Sequence, residues 1–404
     1  MSRPTLFWLL LIAAGLPAVS CAQAPVYIAD DGKDDRAGLQ AEIDRISASG
    51  GGTLQLENGT YDLASPLYLR SGVEIAGRGE RTILSSKALN DRGSWWGTTL
   101  FAGNLTPGSF ADDTGQGYRG RPVRRVSAQE VALERCSESD VAKLPGKVVW
   151  LSSEETIPGR MERPKPVHGE FTVVTGVDGC SIRVADPIEV PPDYELLLHW
   201  SDGSRAEPAP GTGEPNHPIR DAGLRNLQLE SGFDGQALLS SGCYRCTFTD
   251  LHIGNSRRLL MVQGMRHTRY QGITGTFRER GIEIVMYAKD NVVEDVEATF
   301  LPSSDHEVRP AIRFGEYARD NVVRNVRLNL GEAYVGRDKI RFDPSVGNRL
   351  ENITLVVPRD DDRPRFLYKG PNELRAAGDV LPPETSLDGV RLCFAGTENC
   401  VPIG

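Results

Sequence analysis

Residues 31–84 read DGKDDRAGLQAEIDRISASGGGTLQLENGTYDLASPLYLRSGVEIAGRGERTIL, one amphipathic stretch followed by a ladder of very short apolar runs. Leu39, Ile43 and Ile46 recur at helical spacing, and Asp35 stands where an N-cap belongs, so a helix is expected over 35–49. Three consecutive glycines, Gly50 to Gly52, then end it, because glycine enters left-handed backbone without a Cβ penalty. Strands are expected at 53–56, 61–63, 67–69, 73–75 and 82–84, most of them separated by Gly, Asn, Pro or Ser turns. Runs this short make a poor hairpin sheet. They suit a chain that turns corners and stacks coil upon coil.

The same grammar returns from Leu224 onward. LRNLQL (224–229), TFTDLHI (247–253), RYQGITG (269–275), VVEDVEA (292–298), VVRNVRL (322–328), RLENITL (349–355) and SLDGVRL (386–392) share one pattern. Each has an apolar residue, a spacer, then Asn, Asp or Gly, then a branched apolar residue. The last of these, Leu227, Leu251, Ile273 and Val296, recur every 22–24 residues, and Val326, Ile353 and Val390 follow at wider spacing. Such a period with one small polar corner per copy is a coil of a solenoid. A leucine-rich repeat would need a tighter L-x-x-L-x-L consensus and helical returns, and the sequence has neither.

The helix, the GGGT and GTY turns and the corner repeats together resemble pectate-lyase-like right-handed parallel β-helix proteins. The resemblance implies an all-β solenoid capped by the N-terminal helix, with a β-rich insertion that walls one side of a sugar-binding groove. Residues 101–218 interrupt the repeat and fit that insertion, with strands expected at 147–151, 170–177 and 181–184 and a surface loop at 201–218. The expected organisation is thus a signal peptide over 1–22 and one β-helix domain over 25–404. Solenoids grow along one axis and escape the usual limit on domain length.

Export follows from the N-terminus. Arg3 precedes an apolar run over 6–18, of signal-peptide length and short for a membrane span. Ser20-Cys21-Ala22 suits ordinary cleavage into the periplasm or medium. Ala18-Val19-Ser20-Cys21 also approximates a lipoprotein box, which would tether the protein through Cys21 to the outer membrane. Both routes leave Cys136, Cys180, Cys243, Cys246, Cys393 and Cys400, an even set expected as disulfides. Cys393 with Cys400 and Cys243 with Cys246 are locally closable, which leaves Cys136 with Cys180. The Cys243-Tyr244-Arg245-Cys246 spacing also fits a redox motif, but without thioredoxin-like surroundings. A net charge of −9 argues against nucleic acid as a partner. No His, Cys and Asp cluster has zinc spacing, and the Asp-rich turn at 360–362 lacks EF-hand order, so no cofactor is expected and calcium has no motif.

Another short strand precedes the corners, by about eleven residues in ALLSS (237–241), LLMVQ (259–263), GIEIV (281–285), AIRFG (311–315) and KIRFD (339–343), and at wider spacing in RFLYK (365–369). In the superfamily this sheet forms the groove. Alternation sends Ile282 and Ile284, Ile312 and Phe314, and Ile340 and Phe342 inward. It sends Glu283, Arg313, Arg341, Asp343 and Lys339 outward, with Glu283, Arg313 and Arg341 in one vertical file. Arg313 directly beside Arg341 is unfavourable without a partner; Asp343 supplies one, and a bound carboxylate would supply another. His267 and Arg269, in MRHTRY, follow the 259–263 strand in a turn and are candidates for the border of the groove, with a solvated turn as the plainer explanation. His199, Trp200, Trp95 and Trp96 are weaker candidates, with packing as the plainer explanation.

The sharper signatures of the superfamily are missing. Arg119 to Arg125 has the wrong spacing for the pectate lyase arginine run, there is no G-H-G turn, and Asp343-Pro344-Ser345 lacks the histidine of alginate epimerases. Three readings follow. The first is a polysaccharide lyase on a uronate-containing glycan, in which Arg313 and Arg341 hold the carboxylate, Lys339 or His267 is the base and Glu283 assists. The second is a glycoside hydrolase using Glu283 and Asp343. The third is a glycan-binding surface protein without catalysis. As outward charges, Glu283, Arg313 and Arg341 are expected to matter for glycan and little for stability.

Overall fold

The computed structural model describes residues 26–29, 33–87, 98–103, 118–153, 168–201, 218–232, 235–302, 308–331, 334, 339–358, 366–368, 381–396 and 400–402. The signal-peptide segment with Cys21, Trp95 and Trp96, most of the 201–218 loop and the 360–365 turn lie outside these residues.

The chain is a right-handed parallel β-helix whose coils carry four faces. The first face holds Val73–Ala76 and the opening halves of the corner repeats, paired in register through Val292↔Val322 and Val322↔Arg349. A single left-handed residue then turns the chain onto the second face, where Val296, Val326 and Ile353 stack. The corner residues are Asn226, Asp250, Gly272, Asp295, Asn325, Asn352 and Gly389, all with φ between 52° and 66°. That is why the repeat admits only Asn, Asp or Gly there: these residues enter left-handed backbone most cheaply. The third face holds Ile282, Ile312–Phe314 and Ile340–Phe342, and the short fourth face carries Ile219–Arg220, Cys243–Tyr244, Ala318–Arg319 and Ser345–Val346. Parallel strands can pair this way because each returns one full coil later.

The interior is filled by ladders of like residues. Ile282, Ile312 and Ile340 are wholly buried, and the Phe314 and Phe342 rings stack at 5.4 Å and 7°. Between the fourth and first faces the ladder is polar: the Asn291 amide donates to Asn321 Oδ1, and the Asn321 amide to Asn348 Oδ1, each at 2.9 Å. All three are fully buried, so each amide satisfies its neighbour where water is absent.

The capping helix runs Arg36–Ala48, with Leu39, Ile43 and Ile46 buried against the first coil. Asp35 occupies the N-cap position, yet its side chain makes no capping bond; its backbone N–H instead donates to the Asp62 carbonyl at 2.9 Å, tying the helix start to the solenoid. Gly51 has a φ of 103°, and a Cβ there would lie 2.6 Å from the Gly72 carbonyl oxygen, so no other residue fits this stop.

The insertion closes into a six-stranded antiparallel barrel: Tyr118–Ser127, Glu130–Leu133, Val148–Ser153, Gly169–Asp178, Ser181–Val184 and Leu196–Ser201. Alternation revealed three of these strands but not closure, since barrel register is a non-local property. Val131, Leu144, Ile182 and Leu198 form its separate core. His199 and Trp200 belong to the barrel as packing: His199 is buried, bonded to Ser152 Oγ at 2.9 Å, and burial lowers its pKa to about 3.

The cysteines pair as Cys136–Cys180, Cys243–Cys246 and Cys393–Cys400. A chain lacking residues 1–22 should therefore release no thiol when denatured without reductant. Two or more titratable thiols would reopen the redox reading of Cys243 and Cys246.

Candidate functional site

On the third face, one outward file changes character along the solenoid. Tyr68, Phe101 and Leu239 sit in register and are buried, with the Tyr68 and Phe101 rings stacked at 5.2 Å. Further along, Met261, Glu283, Arg313 and Arg341 align residue for residue, as the sequence spacing requires. The register is as expected, but the solvation is not. Glu283 is 2% exposed, because arginines from three coils converge on it.

Arg313 Nη1 donates to Glu283 Oε1 at 2.6 Å, Arg280 bonds the same oxygen, and Arg258 Nε lies 3.4 Å from Oε2. The other edge of the Arg313 guanidinium donates to Asp343 Oδ2 from Nε at 2.8 Å, with Nη2 at 2.7 Å. Arg341 donates to Asp343 Oδ1 at 3.0 Å. Behind them the buried Glu279 gathers Arg257, Arg258, Arg280 and Arg309. Among the described residues, six arginines and the carboxylates of Glu279, Glu283, Asp343 and Glu316 meet in this cluster.

Burial alone would raise the Glu283 carboxyl, but Arg258, Arg280 and Arg313 outweigh it and hold the group below the usual carboxylate range. Asp343 is likewise lowered, by Arg313 and Arg341 against burial. Arg280 pays for its desolvation: burial lowers it to about 10. Arg341, whose side chain is 27% exposed, is the member of the file most open to solvent.

Three expected members are elsewhere. Lys339 is fully buried, its Nζ 5.4 Å from the Tyr334 ring centroid, whereas alternation assigned it outward to the groove. His267 lies on the corner between the fourth and first faces, where its Nε2 is 2.8 Å from Asp186 of the barrel. Arg269 lies on the first face and pairs with Glu294. The structure therefore unites Glu283, Arg313, Arg341 and Asp343, and it does not bring Lys339, His267 or Arg269 to them. His267 stands at a left-handed corner, where alternation has no parity to read, and Arg269 opens the first-face strand, one corner away from the groove.

Sequence reasoning missed the seam between barrel and solenoid. Arg266 and Lys289 stand adjacent on the fourth face, and the barrel answers with Glu170, Asp186 and Glu189. Asp186 also accepts from Thr172 Oγ1 at 2.9 Å and Tyr244 Oη at 3.0 Å. Burial would raise Asp186, but His267, Arg266, Thr172 and Tyr244 lower it to about 2. A depressed carboxylate contributes stability above its unfolded pKa of 3.8 and loses it as pH falls through about 2. The denaturant midpoint of the wild type should thus fall across that window more than that of Asp186→Asn. Equal acid losses in the two proteins would contradict the assignment. At the groove side of the same seam, Tyr287 and Tyr317 stack at 5.8 Å, with Trp150 of the barrel 5.7 Å from Tyr287. The charged floor is therefore flanked by an aromatic corner.

No protein-family profile matches this chain, and no curated protein sequence does. Solved structures of similar shape include the gp61 tailspike of Pseudomonas phage phi297, at 12% identity over 89% of this chain and 68% of that one, TM-score 0.40. The Gp54 tailspike of Acinetobacter baumannii bacteriophage AP22, in complex with capsular saccharide, matches at 11% over 92% and 71%, TM-score 0.35. The tailspike of E. coli bacteriophage HK620, in complex with a pentasaccharide, matches at 11% over 90% of this chain and 50% of that one, TM-score 0.41.

Proposed function

We propose that the protein is an exported glycan-active protein that takes an acidic, uronate-containing chain along the third face. The observation that carries this reading is the pair of guanidiniums, Arg313 and Arg341, gathered on Asp343, with Arg341 partly open to solvent. Guanidinium forks suit planar carboxylates, and a uronate would complete the pairing that Asp343 begins.

Of the two cleavage chemistries, elimination fits this floor better than hydrolysis. A hydrolase needs one carboxyl protonated as general acid and room for the scissile bond between the pair. Glu283 and Asp343 are both held ionised, and the Arg313 guanidinium occupies the space between them. Elimination instead asks the floor for cations that neutralise the uronate while a proton is taken beside it. Lys339, which is buried, and His267, which is bonded to Asp186 on another corner, do not line this floor.

Incubation of the purified protein with polygalacturonate, alginate and hyaluronate, beside neutral glucans, tests the proposal. An ultraviolet-absorbing unsaturated product from an acidic glycan is expected. New reducing ends without that absorbance would establish hydrolysis, and binding without cleavage would leave only the glycan-binding part of the reading.

A further inference from the structure

The first face carries a cavity of about 650 Å³ that the groove on the third face does not use. Its floor is an ion triad: Glu294, 3% exposed, lies between Arg269 and Arg324, whose side chains remain 48% and 42% exposed. Beside it the corner residues form a directed amide ladder. The Asn352 amide donates to Asn325 Oδ1, and the Asn325 amide to Asp295 Oδ1, each at 3.0 Å. Continuing the file, Arg324 is in register with Glu351, and Glu351 with Asp388. Donor-bearing and acidic coils therefore alternate, Gln271, Glu294, Arg324, Glu351 and Asp388 following one another in register at the coil spacing of about 4.8 Å up to the acidic last pair.

We infer that this cavity is a second saccharide site, selective for uncharged, hydroxyl-rich sugar residues. Arg269 and Arg324 share the Glu294 carboxylate, and the one positive charge this leaves is outweighed by Asp295, Glu351 and Asp388 in the same lining. The two half-exposed guanidiniums, the carboxylates and the amides face the cavity together, and between them they donate to and accept from vicinal hydroxyls. Asp295, Glu351 and Asp388 repel an anionic chain. The preference is thus opposite to that of the third face, and the claim does not rest on the acidic-glycan proposal. A groove made rigid by stacked coils and left-handed corners also costs little ordering on binding.

Calorimetric titration of the full chain with neutral tetrasaccharides of glucose, xylose and mannose tests this. At least one should bind, and Glu351→Gln and Asn325→Gly should each weaken it about tenfold while Arg341→Ala leaves it unchanged. Glycine keeps the left-handed corner of Asn325 without strain, so that variant removes the amide and not the turn. Unchanged melting temperatures confirm that both variants fold. The inference is overturned if no tetrasaccharide binds, if the two variants bind as the wild type does, or if calcium ions bind at these carboxylates and exclude the sugar.

Discussion

Ile312→Asp should abolish the folded solenoid. Ile312 is wholly buried between Ile282 and Ile340, its register partners on the neighbouring coils. An aspartate there meets no donor on either side, and burying an unpaired polar or charged group costs several kcal/mol, on top of about 1–3 kcal/mol of lost apolar transfer. Whole domains are stable by only about 5–15 kcal/mol. Because each coil templates the next, the break should propagate rather than stay local. Loss of the cooperative denaturation transition and of the β circular-dichroism signal is the expected result. A variant that melts as the wild type does would mean that Ile312 points outward, and the whole assignment of the third face would reverse with it.

Glu283→Gln should be the most destabilising of the charge-removing changes on that face, although spacing alone predicts a tolerant outward position. The carboxylate is buried under Arg258, Arg280 and Arg313, so an amide would leave three guanidiniums converging on a neutral group. Stripping one partner from a buried ion cluster typically costs about 3–5 kcal/mol. Arg341→Ala removes only one of the two arginines on Asp343, at a partly exposed position, and should cost under about 1 kcal/mol. Urea denaturation of the two variants in parallel measures the contrast. Equal, small losses would show that the cluster is solvated.

The coil architecture was legible because it is written locally. Each corner needs one residue able to turn left-handed, each strand needs two inward apolar residues, and both leave marks at fixed spacing, as at Asn325 with Val323 and Val326. Parity likewise placed Glu283, Arg313 and Arg341 in one file. What it does not encode is depth. Alternation gives the direction of a side chain, while exposure depends on what lies over it: Arg258 and Arg280 over Glu283, and the Tyr334 ring beside Lys339. The Asp186 contact with His267 joins residues 81 apart through a barrel whose closure and docking depend on pairings between distant segments. Neither residue carries a local signal of the other.

Arg341 is where the central claim can be tested without disturbing the fold. The affinity of wild type and Arg341→Ala should be measured for an acidic tetrasaccharide, tetragalacturonate or its mannuronate counterpart, at low and high salt. Wild-type binding should weaken with salt, and Arg341→Ala should lose about tenfold or more in affinity while its melting temperature stays close to that of the wild type. Acidic-sugar binding that is indifferent to Arg341, or no such binding by the wild type, would contradict the assignment of the third face as an acidic-glycan groove.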